Sequence, residues 1–442
     1  MAAATRENVQ AKNQGVIKVI PVILAALLIY ASYVIIGPLT VDHLLTNKNH
    51  YGQIQYSKAT GIAIPTVYFV LIIFMVASYL RILSVVWQDP GFVPEGYYPP
   101  RLPQTSPDPE RGCKRSSSSS SSSSPQSQEN CCSALASPQD DSRSTEKERW
   151  PLEIPSILLQ RIPPPPGTED FYTRDVFVCD INGLPKWCGT CCNWKPDRTH
   201  HCSNSGRCVR KMDHFCPWVG GTVGESSYKF FVQFTFYAAL FTCYLLILLA
   251  YFVAENVAAR SENSMVPLQV QYIVVLAICG FFCLFTLGMV VMTVQMVFQN
   301  RTTIESQSPN TRRMYLAIAL PPHLQSSSPT PPPQAHRGAS HPRLRMVPGL
   351  LERTITYPLC LPTNRPPLPA PHRREFAIVH TPEGLHPWDL GVKENWCAVM
   401  GRRPQDWFFP LRRSPPRHGG DGVSEYPMGW QFTGLLREIG FL

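Results

Sequence analysis

The chain is poor in the features that mark secreted or nucleic-acid-binding proteins. It has no N-terminal segment that reads as a cleavable export signal, because its first apolar run is too long and lacks a small-residue cleavage site. Its 15 cysteines lack the spacing of a secreted disulfide framework. Its basic tracts lack interleaved aromatics, which argues against RNA or DNA as a partner. Long stretches also lack core-forming residues. Of 442 residues, 44 are proline, and Ser116–Ser124 is an unbroken serine run, so much of the chain cannot be packed core. The formal net charge is +9. In a membrane protein such an excess is most simply loop charge facing anionic lipid.

What is present is concentrated. Four apolar stretches, at 19–36, 62–87, 230–254 and 271–298, are near or beyond the roughly 20 residues needed to span a bilayer. Arg6, Lys12 and Lys18 precede the first. Lys195, Arg198, Arg207, Arg210, Lys211 and Lys229 crowd the long loop between the second and third, and the tail after the fourth is arginine-rich. The short loops 37–61 and 255–267 carry few positive charges. Positive charge stays on the cytosolic side, so both termini and the long loop are expected there. The predicted fold is mainly α: a polytopic membrane protein with four transmembrane helices and a small cytosolic zinc-binding, cysteine-rich domain. Composition divides the chain into an N-terminal tail with spans one and two (1–93) and a disordered Ser/Pro-rich linker (94–170). The cysteine-rich domain (171–229) and spans three and four (230–305) follow. A Pro-rich low-complexity segment (306–374) and a cytosolic C-terminal region (375–442) complete it.

Six cysteines lie between Cys188 and Cys216, together with His200, His201 and His214. A segment this small cannot build a sizeable hydrophobic core, and a structural metal would supply the missing folding energy. Cys188 and Cys191 have the Cys-x-x-Cys spacing that lets two thiolates grip one ion, and His201 and Cys208 complete a Cys3His tetrahedron suited to Zn2+.

The string Asp213-His214-Phe215-Cys216 follows this set, and three flanking motifs surround it: Asp89-Pro90-Gly91 after span two, Thr302-Thr303-Ile304-Glu305 after span four, and Trp388-Asp389-Leu390-Gly391 with Asn395-Trp396 further on. Their order and membrane positions resemble the DHHC protein S-acyltransferases, and fungal members most. The resemblance implies a palmitoyltransferase that takes palmitoyl-CoA as acyl donor. It would act on cytosolic or membrane-attached proteins with juxtamembrane cysteines, in an endomembrane of the Golgi, ER or vacuole, or in the plasma membrane.

The family carries two zinc sites. By resemblance the first maps onto Cys188, Cys191, His201 and Cys208, all present, whereas the second would map onto Cys202, Ser205, Phe215 and Thr222, where only Cys202 can bind metal. One zinc per chain is therefore expected, with Phe215 packing and Ser205 and Thr222 hydrogen-bonding where the family has a metal. The signature reads DHFC, and the change falls on a ligand position. Cys216 as nucleophile, His214 as base and Asp213 as its orienter are intact, with Thr302 and Thr303 bracing them. Lys195, Arg198 and His200 are candidate contacts to CoA phosphates. The competing reading is a catalytically inactive zinc-binding membrane scaffold of the same descent. A RING-type ligase would need eight ligands, and four stand here.

Overall fold

A computed structural model describes residues 19–46, 56–96, 171–307, 314–321, 351–357, 374–414, 424–438 and 441. The linker expected at 94–170 falls almost wholly outside them, as do Ser116–Ser124.

Four long apolar helices dominate: α1 (Val19–Thr46), α2 (Lys58–Gln88), α3 (Tyr228–Glu262) and α4 (Val270–Phe298). All exceed the length read from hydropathy. The largest difference is in α1, where the apolar stretch read from the sequence ends at Ile36. The helix instead continues in a wider winding from Ile35 to Thr46, with Pro38 inside it. Thr40 Oγ1 donates to Ile35 O at 2.7 Å, five residues back, so a side chain supports the turn that Pro38 enters without an N–H. Lipid gives no hydrophobic drive between helices, so polar pairs across them count. The Ser32 and Tyr68 hydroxyls meet at 2.6 Å between α1 and α2, and Thr242 meets Thr286 at 3.3 Å between α3 and α4. Such contacts contribute about 0.6 kcal/mol each.

The Asp-Pro-Gly motif ends α2. Asp89 Oδ1 accepts from the amides of Gly91 and Phe92 at 2.9 and 2.8 Å. Pro90 cannot extend the helix, and Gly91 takes φ +111°, a conformation that a side chain disfavours. The chain then runs along the cysteine-rich domain, where Val93 N donates to Cys208 O and Arg210 N donates to Gly91 O. That domain consists of three two-stranded antiparallel hairpins. They are β2 (Trp187–Cys188) with β3 (Asn193–Trp194), β4 (His200–Cys202) with β5 (Arg207–Val209), and β6 (His214–Cys216) with β7 (Gly221–Val223). Gly221 sits against α2, where a Cβ would come within 2.3 Å of Val86.

Composition conceals one further layer. A four-stranded antiparallel sheet has the order β1 (Val176–Cys179), β8 (Tyr315–Ala319), β10 (Arg374–His380), β9 (Leu351–Tyr357). Two of its strands lie inside the segment 306–374 expected to be low-complexity, and β1 belongs to this sheet rather than to the metal-binding hairpins. Proline and serine around them mask short β-branched and aromatic runs such as Thr354-Ile355-Thr356-Tyr357. One face of the sheet packs on helix α8 (Trp430–Glu438) through Phe432 and Leu436. The other carries Phe177, Tyr357 and Phe376. The short helices α5 (Thr303–Gln307), α6 (Val392–Met400) and α7 (Pro404–Phe408) complete the described fold.

A buried ion pair ties these parts together. Arg198, fully buried, donates Nε and Nη2 to the two carboxylate oxygens of Glu305 at 2.7 Å each. Its remaining donors reach Asn300 Oδ1 and Asn300 O, and Trp388 and Tyr426 present their ring faces. Burial alone would raise the Glu305 pKa, but the Arg198 charge overrides it and holds the carboxyl at about 2. The same burial and the same cation push His386 down to about 4.

Replacing Glu305 by Ala strands a buried guanidinium. It should lower stability by about 3–5 kcal/mol, read as a large fall in the thermal midpoint of the detergent-solubilised protein. Because the folded pKa is depressed, the pair contributes fully above about pH 4.5 and fades as pH falls through about 2. A midpoint unchanged by Glu305→Ala would contradict this account.

Candidate active site and metal centre

The first hairpins bring four donors together. Cys188 ends β2 and Cys191 lies in the turn to β3, and His201 and Cys208 face each other across β4 and β5. All four ligand atoms lie within 4.8 Å of one another. His201 Nδ1 is 3.5 Å from Cys188 Sγ, 3.4 Å from Cys191 Sγ and 3.9 Å from Cys208 Sγ. A zinc tetrahedron with bonds of 2.0–2.3 Å has edges of about 3.5 Å between nitrogen and sulfur, so the donors fit. Without a cation they compete for protons. Hydrogen bonds from Cys191 and Cys208 drive Cys188 far below the ordinary thiol range. Cys208 is pushed far above it by Cys188 and Cys191, and His201 rises to about 10 through its bonds to the same two thiols. One divalent cation resolves that competition. Among the described residues this is the one cluster of three or more such donors.

The four positions that the resemblance would give to a second metal make other contacts. Thr222 Oγ1 donates to Cys202 Sγ at 3.2 Å and lies 3.5 Å from Ser205 Oγ. Phe215 packs against the buried cluster of Cys202, Val209 and Met212.

The third hairpin carries Asp213, His214 and Cys216. Asp213 Oδ2 is 2.7 Å from His214 Nδ1. Thr303, at the start of α5, holds the same carboxylate twice: its amide donates to Oδ1 at 2.7 Å and its hydroxyl to Oδ2 at 3.0 Å. Thr302, expected to share this task, does another. Its amide donates to Glu305 Oε2 and its hydroxyl accepts from Glu305 N, which fixes the ion pair. Burial disfavours a charged imidazole, yet its hydrogen bonds to Asp213 and then Cys216 raise the His214 pKa to about 9. The Phe231 ring stands edge-on to it at 5.1 Å. Cys216 is 2% exposed and packs in a cluster with Val86 of α2, Phe230 of α3, Val297 of α4 and Met400 of α6. The thiol thus sits where three long helices end. Tyr79, whose hydroxyl donates to Trp218 O at 2.9 Å, borders the same cluster; nothing in its sequence context singles it out.

The three residues expected to meet CoA phosphates part company. Arg198 is consumed by Glu305 and Asn300 and has no exposed surface, so it is a structural cation and not a phosphate contact. Lys195 and His200 remain half-buried on the hairpin domain. Asn395, within the C-terminal motif, donates to Phe298 O at 2.7 Å and to Asp389 Oδ1 at 2.6 Å, which docks α6 on the end of α4.

Four membrane-length helices, a Cys3His cradle and a braced Asp-His-Cys set define a multi-pass membrane protein with a zinc-type domain at one bundle end. The comparisons specify it further. The DHHC palmitoyltransferase family profile matches residues 181–310. Palmitoyltransferase pfa5 of Aspergillus fumigatus is 37% identical over 437 residues, covering 97% of this chain and 90% of the relative. Palmitoyltransferase pfa5 of Emericella nidulans is 34% identical over 460 residues, covering 97% and 86%. Human palmitoyltransferase ZDHHC3 is 38% identical over 130 residues, covering 28% and 44%. The chain belongs to the DHHC palmitoyltransferase family.

The His214 imidazole should hold its proton at neutral pH and lose it as pH rises through about 9. In Asp213→Asn the main raising partner is gone, and the titration should fall toward the ordinary value of about 6.5. Histidine NMR in detergent reads both, and an Asn variant that still titrates near the wild-type value would overturn the assignment.

Proposed function

We propose that this protein transfers a long-chain acyl group from acyl-CoA to protein cysteines through a thioester on Cys216. The observation that carries this reading is the double hold of Thr303 on Asp213, with His214 bonded to that carboxylate and Cys216 at the helix ends. His214 draws the proton from Cys216 and, with its pKa raised to about 9, keeps it as imidazolium at neutral pH. The thiolate attacks the acyl thioester carbonyl, the carbon–sulfur bond to CoA breaks, and the departing thiolate recovers the proton from the imidazolium. In the second half a substrate cysteine gives its proton to His214 and attacks the acyl-enzyme, and Cys216 leaves. Each half exchanges one thioester for another, so the protein's contribution is orientation. Asp213 fixes the imidazole and stabilises its charge.

Cys188, Cys191, His201 and Cys208 hold one zinc, which supplies folding energy to the hairpins and takes no part in the transfer. Lys195 and His200 face the CoA phosphates. The cysteine-rich domain and both termini lie on the cytosolic side, where the acyl donor and substrate thiols are found.

Wild-type protein incubated with a clickable palmitoyl-CoA analogue should acquire a hydroxylamine-sensitive label, and Cys216→Ser should acquire none. Equal labelling of both, or no label on the wild type, would favour the non-catalytic scaffold. Elemental analysis of purified protein should give one zinc per chain; a value of two would mean that other donors rebuild the second site.

A further inference from the structure

Beyond α6 the chain forms a structure that the transfer reaction does not use. Residues 401–414 fold back along the bundle, against α2 and α3. Gln233 Nε2 donates to Asp406 O at 3.1 Å, Trp407 O at 3.0 Å and Phe409 O at 3.4 Å, and Tyr237 donates to Phe408 O at 2.8 Å. The Phe409 ring lies 5.9 Å from Phe74. Phe74 is 14 residues from the end of α2, about 21 Å along its axis. The segment therefore enters the spanning length of the bundle, and helix side chains satisfy its carbonyls, as backbone at membrane depth requires. Phe408, Phe409 and Leu411 are 53%, 46% and 74% exposed, with lipid as their natural surroundings.

Paired arginines bracket this apolar wedge: Arg402 and Arg403 before it, Arg412 and Arg413 after it. They meet around a cleft of about 370 Å³ that Glu394 and Asp406 also line. Four guanidinium groups thus face two carboxylates. Glu394 is engaged by Arg402 at 2.8 Å, whereas Arg403, Arg412 and Arg413 have no ion pair among the described residues. Behind the cleft, the buried Lys229 interacts with Asp406 and Arg412, and its Nζ has no hydrogen-bond partner among the described residues. The uncompensated charge sits at the end of the bundle that carries the cysteine-rich domain.

We infer that this cleft binds the headgroup of a polyanionic membrane lipid bearing phosphomonoesters, of the inositol-phosphate type. The leaflet is the cytosolic one if the orientation proposed above holds. Guanidinium forks suit phosphate, and basic residues beside a bilayer-inserted apolar wedge recognise anionic lipid. CoA offers the same phosphate chemistry, but the wedge beside the arginines supplies the acyl-chain surface that a lipid needs.

The test uses full-length protein in mild detergent with dioctanoyl phosphatidylinositol bisphosphate, dioctanoyl phosphatidylcholine and CoA as probes. Wild type should bind the inositol lipid saturably and the choline lipid not at all, and CoA should not displace the inositol lipid. Arg403→Gln/Arg412→Gln/Arg413→Gln should weaken binding about tenfold or more while keeping the zinc content. Should that variant lose its zinc, Arg413→Gln alone should weaken binding about threefold. Undiminished affinity in the folded variant, equal binding of the choline lipid, or displacement by CoA overturns the assignment. None of these readouts depends on Cys216, so failure here is distinct from failure of the acyl-transfer reading.

Discussion

A guanidinium with no access to water must be answered on every side, and the way Arg198 is answered organises the site. Its charge meets Glu305, its spare donors meet Asn300, and its faces meet Trp388 and Tyr426. These partners come from three stretches outside the hairpin domain: the segment after α4, the C-terminal motif and the residues just before α8. Each pays little alone, since a buried pair gains little over apolar packing. The gain is in specificity. With Glu305 fixed by Arg198, the turn at Thr302 is fixed, and the next residue, Thr303, is aimed at Asp213.

The same constraints reach the third hairpin, whose residues join no metal-binding cluster among the described residues. Here β6 pairs with β7, Thr222 bonds Cys202, and Phe215 fills the space with carbon. These interactions are weaker and less directional than metal ligation. The orientation of Asp213, however, comes from Thr303, outside the hairpins altogether, so the element most sensitive to angle does not depend on the hairpin contacts alone.

Much of this was readable from residues alone, for identifiable reasons. Long apolar runs have one stable solution in lipid, so the four helices follow from length and composition. Cys-x-x-Cys spacing fixes two ligands, and the remaining donors were close by in sequence. What was hidden depends on partners far apart in the chain. Arg198 stands in a basic, histidine-rich string and resembles a phosphate contact; only the fold reveals that Glu305, 107 residues away, has claimed it. Strands β8 and β9 are short and set among prolines, so no periodicity window is long enough to find them. Thr302 and Thr303 look equivalent in sequence, yet one faces Glu305 and the other Asp213, because adjacent residues at a helix start point in different directions.

The position of Cys216 follows from the same economy of directions. Acyl transfer between a water-soluble donor and a lipid-dwelling chain needs a nucleophile where polar and apolar surroundings meet, and this thiol has both. Its protein partners on one side are Val86, Phe230 and Val297, from the ends of three long helices. On the other side stands an imidazole whose pKa of about 9 reflects hydrogen bonds strong enough to overcome burial. A charge-bearing histidine at an apolar rim is unfavourable unless a fixed anion faces it. Asp213 is that partner, and the Thr303 amide and hydroxyl solvate its carboxylate in place of water. The chemistry at the rim is thus sustained by two donors from a single residue, aimed by an ion pair that never contacts the reacting atoms.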